Sequence, residues 1–273
     1  MMTNYDKKIA FVGGGNMAEA VLSGLLAKQT VVPQDILVCE KMPERQVYLR
    51  ETYGVEVTGE NAQAGARAKT VFLSVKPQIL IEVQKAVRQS LTEEHLVISI
   101  LAGVSLARLE GALDCPGRIV RVMPNLPALV GRGVSAISYP GSLPETEREW
   151  VRAILRSVGE IVEVDEKYQD VVTAVSGSGP GYIFYLAQQF MEAAITHGLT
   201  QEVATCLVTE TLAGAAELLR KSHESPESLV RKVATPGGTT EAGLSVLKEH
   251  DLPIILSKMV ERSACRSREL NQG

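Results

Sequence analysis

A run of three glycines at 13–15 separates a short apolar segment from a segment with helical periodicity. The apolar segment, residues 9–12, has the nearly continuous hydrophobicity of a strand that is covered on both faces of a sheet. The segment behind the glycines carries apolar residues at i, i+3, i+4 and i+7, namely Ala18, Val21, Leu22 and Leu25. A strand, a tight turn and a helix in this order begin a βαβ unit, so the sequence predicts a parallel sheet flanked by helices.

The alternation of short apolar runs and helical patterns continues to about residue 165. Further strands are predicted at 36–38, 71–75, 96–100, 119–123, 134–137 and 161–164, and a helix at 145–156. We therefore expect residues 1–165 to form a doubly wound, mostly parallel α/β domain that binds its ligand at the carboxyl ends of the strands.

Residues 166–273 have helical patterns throughout, which predict an all-α domain. Helices are expected around 183–194 and 203–215, and at 227–233, 240–248 and 254–268. Several of them are apolar over more than one stripe, which exceeds what one packed layer buries. Either the domain is simply compact, or its helices also form the interface of a homo-oligomer.

Composition excludes several classes of protein. The net charge of −4 argues against a nucleic-acid binder that relies on phosphate contacts. The four cysteines stand singly without neighbouring histidines, so we expect neither a metal site nor a disulfide framework, and their use fits a reducing compartment. No apolar stretch approaches the roughly 20 residues that a membrane helix needs. We expect a cytoplasmic protein with no nucleic-acid or membrane partner.

The glycine run belongs to a G-x-G-x-x-A pattern at residues 13–18, in the strand–turn–helix context that dinucleotide sites use. Gly13 permits the turn, Gly15 lets the backbone approach a pyrophosphate, and Ala18 allows close helix–strand packing. We assign Gly13, Gly15, Asn16, Met17 and Ala18 to cofactor binding. The alternative is a glycine turn that only packs.

Charged residues follow the second predicted strand. Glu40 stands where a carboxylate accepts hydrogen bonds from the ribose hydroxyls of NAD. Lys41 and Arg45 are equally suited to neutralise the 2′-phosphate of NADP. The sequence leaves NADH and NADPH both open, and these charges can also be a solvated surface.

Seven ordered motifs cover essentially the whole chain: GGGNMA at 13–18, SVKP at 74–77, SILAG at 99–103, RVMPNLPA at 121–128, SGSGPGY at 176–182, TPGGTT at 235–240 and RSREL at 266–270. With them the chain resembles the pyrroline-5-carboxylate reductases. The resemblance implies a Rossmann-type N-terminal domain followed by a helical dimerisation domain, in dimers that often assemble further. It also implies hydride transfer from NADPH or NADH to the C=N carbon of Δ1-pyrroline-5-carboxylate, which gives L-proline.

The resemblance further implies which residues meet the cofactor. Val75, Lys76, Pro77, Ala102 and Gly103 are expected to line the nicotinamide half, Asn61 to lie near the adenosine ribose, and Asn125 to orient the carboxamide or the substrate. Taken alone, Pro77 is a helix start, Gly103 a turn and Asn125 a turn residue.

The loop at 235–240 leads into a helix, whose N-terminal N–H groups form an anion site. The resemblance implies that Thr235 and the backbone of Gly238 and Thr239 hold the substrate carboxylate, while the Thr240 hydroxyl meets the ring nitrogen as the catalytic group. Glu166 and Ser178 are assigned to the substrate as well. The alternative is that Thr239 or Thr240 simply caps the helix.

The remaining residues give no other catalytic arrangement. The four histidines, His95, His197, His223 and His250, are isolated and are expected at surface or capping positions. Two alternatives stay open: a reductase of another cyclic imine or of a β-hydroxy acid, with Lys76 as its base, and a catalytically idle nucleotide-binding paralogue.

Overall fold

The computed structural model describes residues 6–115 and 117–272. The chain divides into two compact units. Unit 1 comprises the residues up to 178 together with those from 262 onward, and unit 2 comprises 179–261. This division differs from the predicted boundary at 165, because segments 166–178 and 262–272 pack within the sheet unit.

The described part of unit 1 contains one eight-stranded sheet. Its strands are β1 (Ile9–Val12), β2 (Ile36–Cys39), β3 (Glu56–Thr58), β4 (Thr70–Leu73), β5 (Leu96–Ser99), β6 (Ile119–Met123), β7 (Gly133–Ser138) and β8 (Gly159–Glu163). They lie in the order β3-β2-β1-β4-β5-β6-β7-β8, and all neighbours are parallel except β6 and β7. The predicted doubly wound, mostly parallel sheet is confirmed.

The strand order reverses at β1, which pairs with β2 on one side and β4 on the other. The last residue of β1, Val12, lies opposite Cys39 on one side and Leu73 on the other. The residues that follow these strands, Gly13, Glu40 and Ser74, therefore lie at the same edge of the sheet. This is the topological switch point at which doubly wound sheets bind ligands.

The helices of unit 1 cover both faces of the sheet. They are α1 (Asn16–Ala27), α2 (Pro43–Tyr53), α3 (Gln63–Arg67), α4 (Leu80–Ser90), α5 (Leu106–Leu113), α6 (Glu145–Arg156) and α7 (Gln169–Val172). Phe11 and Phe72 belong to the core on one face, whereas Ala10 and Val12 belong to the core on the other. Burial on both faces explains why the strands are nearly continuous apolar runs.

Unit 2 is helical, as predicted. It contains α8 (Gly179–Thr196), α9 (Gln201–Ser222), α10 (Pro226–Val233), α11 (Thr239–Glu249) and the first half of α12 (Leu252–Gln272). Ala204 is the single buried residue among those described in this unit, while many large apolar side chains are exposed, including Phe184, Tyr185, Phe190 and Val233. Within the described ranges, no helix has the length and apolarity needed to cross a bilayer.

Candidate functional site

The glycine turn after β1 contains two glycines with different surroundings. Gly13 has φ +96°, and a Cβ on it would lie 3.0 Å from the Ser74 carbonyl oxygen and 3.0 Å from Val75 Cγ1. A Cβ on Gly15 would meet no atom within 4 Å. The fold therefore requires glycine at 13, while at 15 it leaves open space of the kind that a closely approaching ligand needs.

Helix α1 begins directly after Gly15 without a side chain to cap it. The N–H groups of its first turn, on Asn16, Met17 and Ala18, point out of the helix end and have no intrahelical partner. Such groups, together with the helix dipole, attract a phosphate. The exposed backbone at Gly15 and this uncapped helix end fit the pyrophosphate of a dinucleotide.

Glu40 is held in place by two backbone N–H groups at the end of β2. Its Oε2 accepts from Gly14 N–H at 2.8 Å and its Oε1 accepts from Met42 N–H at 2.9 Å. Asn61 lies three residues beyond Thr58, whose carbonyl accepts from Glu40 N–H at 2.9 Å. Both residues predicted for the ribose end thus belong to the segments at this sheet edge.

Arg45, predicted as a partner for a 2′-phosphate, is already paired. Its Nε donates to Gly14 O at 2.7 Å, and its guanidinium forms an ion pair with Glu19. The same carboxylate accepts from the hydroxyls of Tyr48 at 2.8 Å and Tyr53 at 2.7 Å. Burial raises the pKa of Glu19, but these hydrogen bonds outweigh it and hold the pKa below the ordinary value. No role was predicted for Glu19 from the sequence, although it lies in the first turn of the helix that follows the glycines.

The segment after β4 is tied to the glycine turn. The Ser74 hydroxyl donates to Gly13 O at 2.8 Å. The strand ends at Leu73, two residues before the predicted end, which leaves Val75 half-buried and Lys76 exposed in the connection. Pro77 opens a short 3₁₀ turn before α4, as expected of a helix start.

Gly103 is required by packing inside unit 1. It has φ +71°, and a Cβ on it would lie 2.6 Å from Ser267 O and 2.8 Å from Leu270 Cβ. Both contacts come from α12, so packing alone explains why residue 103 is a glycine. The roles of Gly103 and of its half-buried neighbour Ala102 at the nicotinamide stay predictions.

Asn125 lies beside the start of the SGSG motif. Its Oδ1 accepts from Val134 N–H at 2.9 Å, which turns its Nδ2 toward Ser176 Oγ at 3.5 Å. Ser176 belongs to a π-helical turn, where Ser178 N–H bonds the Thr173 carbonyl at 2.8 Å. Such turns occur often at functional sites. The structure thus brings the predicted residues Asn125 and Ser178 close to the same short segment.

Glu166, predicted to touch substrate, takes part in a network within unit 1. Its Oε1 accepts from Leu106 N–H at 2.6 Å, at the start of α5, and lies 3.2 Å from Arg121 Nη1. Arg121 also lies 3.7 Å from Asp170, whose Oδ1 accepts from the Ser267 hydroxyl at 2.6 Å. The side chain of Arg121 is only 8% exposed. These contacts give Glu166 a structural role, and its contact with substrate stays a prediction.

The loop before α11 leaves N–H groups at the helix end without side-chain caps. Gly238 is the N-cap, and no side chain caps the helix, so the alternative in which Thr239 or Thr240 caps it is wrong. Gly238 N–H donates to Thr235 O at 2.9 Å, and Gly237 N–H donates to Glu241 Oε2 at 2.7 Å. The N–H groups open to an anion are therefore those of Thr239 and the residues that follow it.

The other candidate chemistries find no support in the described ranges. No cluster of three or more metal-binding side chains occurs there. Burial raises the pKa of the Cys39 thiol, beside Glu40, to about 12, so it stays protonated.

The four histidines lie apart from one another. His197 and His250 each bond the carbonyl four residues earlier, and His223 is the C-cap of α9. His95 is the exception to the surface prediction, since it is 7% exposed and bonds Thr92 and the Gly65 carbonyl.

Two family models match the two parts of the chain. Residues 166–270 match the model of pyrroline-5-carboxylate reductase dimerisation. Residues 8–103 match the model described as NADP oxidoreductase, coenzyme F420-dependent. The second match covers the glycine turn, Glu40 and the segment after β4.

Proteins of known family resemble the chain over nearly its full length. A pyrroline-5-carboxylate reductase of Synechocystis is 38% identical over 97% of this chain and 98% of its own. The structure of a pyrroline-5-carboxylate reductase from Coxiella burnetii aligns with a TM-score of 0.89 and 34% identity, over 97% of this chain and 99% of that one. The pyrroline carboxylate reductase of Plasmodium falciparum, solved with NADP bound, aligns with a TM-score of 0.86 and 27% identity, over 99% and 100%. The chain therefore belongs to the pyrroline-5-carboxylate reductase family, whose members are NAD(P)H-dependent oxidoreductases that act on a carbon–nitrogen bond.

Proposed function

We propose that this chain reduces the C=N bond of Δ1-pyrroline-5-carboxylate to give L-proline, the last step of proline biosynthesis, with a hydride that NADPH or NADH supplies when bound. The observation that carries the proposal is the 38% identity to a pyrroline-5-carboxylate reductase along 97% of the chain. The geometry of the proposed cofactor site and that of the proposed substrate site support it independently.

Residues of unit 1 bind the dinucleotide. The amides of α1 and the open backbone at Gly15 take the pyrophosphate, and Glu40 with Asn61 takes the adenosine ribose. Val75, Lys76, Pro77, Ala102 and Gly103 line the nicotinamide half, and Asn125 uses its Nδ2, which has only a long bond of 3.5 Å to Ser176 Oγ, to orient the carboxamide or the substrate.

Residues of unit 2 bind the substrate carboxylate. The N–H groups of Thr239 and the first turn of α11 face an anion, and the exposed hydroxyl of Thr235 adds a donor. Gly238 supplies close approach of the backbone, since its own N–H is used by Thr235 O. Ser178 and Glu166, which belong to unit 1, are the other residues proposed to contact the substrate.

Thr240 is the proposed catalytic residue. It is half-buried in the first turn of α11, and its hydroxyl is not needed to cap the helix. A hydroxyl that holds the ring nitrogen orients the imine and favours its protonated, more electrophilic form. An imine is already a good electrophile, so positioning contributes more than acid–base strength.

The test compares two variants of Thr240, and a control variant of Thr239, by the loss of NAD(P)H absorbance with pyrroline-5-carboxylate. Thr240→Val keeps the shape of the side chain but removes the hydroxyl, and we expect kcat to fall by about 10²-fold, a typical loss when the reacting group is no longer held in position. Thr240→Ser restores the hydroxyl and should recover most of the rate. Cofactor affinity should change little in either variant.

The matched control is Thr239→Val, one residue earlier. Thr239 is proposed to act through its backbone N–H, which this substitution preserves, so the rate should stay near that of the wild type. Full activity of Thr240→Val would remove Thr240 from the mechanism. The six-membered cyclic imine and a β-hydroxy acid, offered in the same assay, distinguish the activity from those of related reductases.

We further propose that the chain forms a homodimer through its C-terminal helices, in assemblies that can grow beyond a dimer, and that it works in the cytoplasm. The match of 166–270 to a dimerisation domain and the many exposed apolar side chains of unit 2 support the first proposal. The four free cysteines, Cys39, Cys115, Cys206 and Cys265, support the second. Cell fractionation with antibody detection checks the compartment.

A further inference from the structure

We propose that Glu19 makes this chain select NADH over NADPH, because it holds Arg45 in an ion pair and so withholds it from a 2′-phosphate. The inference rests on the proposed use of NAD(P)H and adds the residues that choose between the two. It concerns the surroundings of Gly14, where Glu40, Arg45 and Glu19 meet.

Glu40 presents a negative charge where the adenosine ribose is proposed to lie. Its two oxygens are fixed by the N–H groups of Gly14 and Met42, so the carboxylate has little freedom to turn away. Each oxygen keeps further lone pairs with which to accept from ribose hydroxyls. A 2′-phosphate in place of the 2′-hydroxyl would bring like charges together, which disfavours NADPH unless a cation compensates.

Arg45 is placed to be that cation. Glu40 bonds the N–H of Gly14, and Arg45 Nε bonds the carbonyl of the same residue at 2.7 Å. The two side chains therefore bond the backbone of the same residue, one at its N–H group and the other at its carbonyl. A guanidinium binds phosphate through paired, charge-assisted hydrogen bonds, so a free Arg45 here would favour NADPH.

Glu19 removes this possibility in the present arrangement. Its Oε2 pairs with the Arg45 guanidinium, while its Oε1 accepts from Tyr48 and Tyr53. The Arg45 guanidinium also lies 4.9 Å from the centre of the Tyr48 ring. Both partners are mostly shielded, with side chains 24% and 16% exposed. To reach a phosphate, Arg45 must break the ion pair and leave a shielded carboxylate uncompensated, which is costly.

Lys41 does not replace Arg45. It is exposed, and no hydrogen bond or ion pair of its side chain occurs within the described ranges. Ordering a mobile, strongly hydrated ammonium against a phosphate costs more free energy than ordering a guanidinium that is already in position. The chain thus offers NADPH one fixed repulsion and no fixed attraction.

The test measures equilibrium dissociation constants of NADH and NADPH in the absence of substrate, by titration calorimetry on the full chain. The wild type should bind NADH at least about tenfold more tightly than NADPH, the ratio that about 1.4 kcal/mol gives. Glu19→Gln keeps an acceptor for the tyrosines but loses the charge. It should tighten NADPH about tenfold and change NADH by less than about threefold.

Two further variants identify the cause. Glu44→Gln removes an exposed glutamate next to Arg45 in sequence and should leave both constants nearly unchanged. Arg45→Met, added to Glu19→Gln, should abolish the gain for NADPH. Thermal unfolding of each variant, measured alongside, shows that the variants are folded before their constants are compared.

The proposal is overturned if the wild type prefers NADPH, if Glu19→Gln leaves the ratio unchanged, or if Glu44→Gln shifts it equally, since a general charge effect would then suffice. Failure of the proposed function gives a different result: no reduction of pyrroline-5-carboxylate with either nucleotide, whatever their dissociation constants.

Discussion

A side chain at Gly15 would enter empty space, whereas one at Gly13 would collide with the carbonyl of Ser74 and with Val75. The two glycines are two positions apart and share a motif, yet only the first is demanded by the fold. Substituting each in turn can therefore separate a requirement of folding from a requirement of binding.

We expect Gly15→Ala to raise the dissociation constant of the dinucleotide about tenfold, because its methyl group occupies the space that the pyrophosphate needs. Stability should fall by no more than about 1 kcal/mol, the cost of a poorer N-cap. Calorimetric titration and urea unfolding measure the two effects. Unchanged affinity would show that the phosphate does not approach Gly15.

The control for this prediction is Gly111→Ala in α5. A Cβ at Gly111 also meets nothing within 4 Å, but the residue lies inside a helix away from the glycine turn. There alanine should stabilise by about 0.5–1 kcal/mol and leave cofactor binding as it is.

At the residue scale, the roles that depend on local spacing were predictable, and those that depend on distant pairing were not. The glycine turn and its helix lie within a few residues of each other, so spacing alone indicates their geometry. Arg45 and Glu19 are 26 positions apart, and their ion pair exists only because the sheet places α1 beside α2. From the sequence, Arg45 therefore looked free to meet a phosphate.

Among the elements of unit 1, several that are distant in the chain are linked through a buried arginine. Arg121 on β6 reaches Glu166, which caps α5, and Asp170 on α7, which in turn bonds Ser267 on α12. One guanidinium thus joins a strand to the carboxylates that position three helices. Such a group matters less for its net attraction than for the half-buried carboxylates that its removal would leave without a cation.

Arg121→Met should lower the free energy of unfolding by about 3 kcal/mol, the lower end for breaking a buried pair, because it leaves the half-buried Glu166 and Asp170 without their cation. Urea denaturation followed by circular dichroism measures this loss. Arg67→Met is the matched control, since it breaks the exposed ion pair with Glu56 and should cost about 1 kcal/mol or less. Equal losses in the two variants would contradict a special role for the Arg121 network.

Element bounds were predictable where burial is strong. The predicted helix 145–156 matches α6, because its buried residues Trp150, Val151, Ile154 and Leu155 repeat with helical spacing. Strand β3 was not predicted, since its residues are exposed or only half-buried and form no apolar run. Its place in the sheet comes from pairing with β2, which no local pattern reveals.

For the whole molecule, the main physical fact is that the two units differ in how far their apolar side chains are buried. Unit 1 buries strands β1, β2, β4 and β5 completely, while unit 2 leaves its aromatic and aliphatic side chains largely in solvent. Exposed apolar surface on this scale marks an interaction surface. This is the basis of the proposed homodimer.

Phe190→Glu should weaken self-association strongly, because Phe190 is 61% exposed on α8 and a charge there would be buried in the interface. Light scattering after size-exclusion chromatography should show a shift toward the monomer mass. Val130→Glu makes the same kind of change at a 76% exposed position of unit 1 and should leave the mass unchanged. A monomeric wild type would refute the dimer.

The division of α12 between the two units could not be predicted from the sequence. Its pattern is uniformly helical from Leu252 to Gln272, so nothing in it marks residue 262 as a boundary. The boundary is set by tertiary contacts alone, including those of Gly103 with Ser267 and Leu270.

The return of residues 262–272 to unit 1 also constrains how the protein is made. A ribosome completes the sheet long before it translates these residues, with all of unit 2 in between. During that interval the Arg108 guanidinium lacks the carbonyls of Leu270 and Asn271, and Gly103 lacks its covering helix. Nascent chains stalled before residue 262 should therefore hold an unfinished first unit that proteases cut readily.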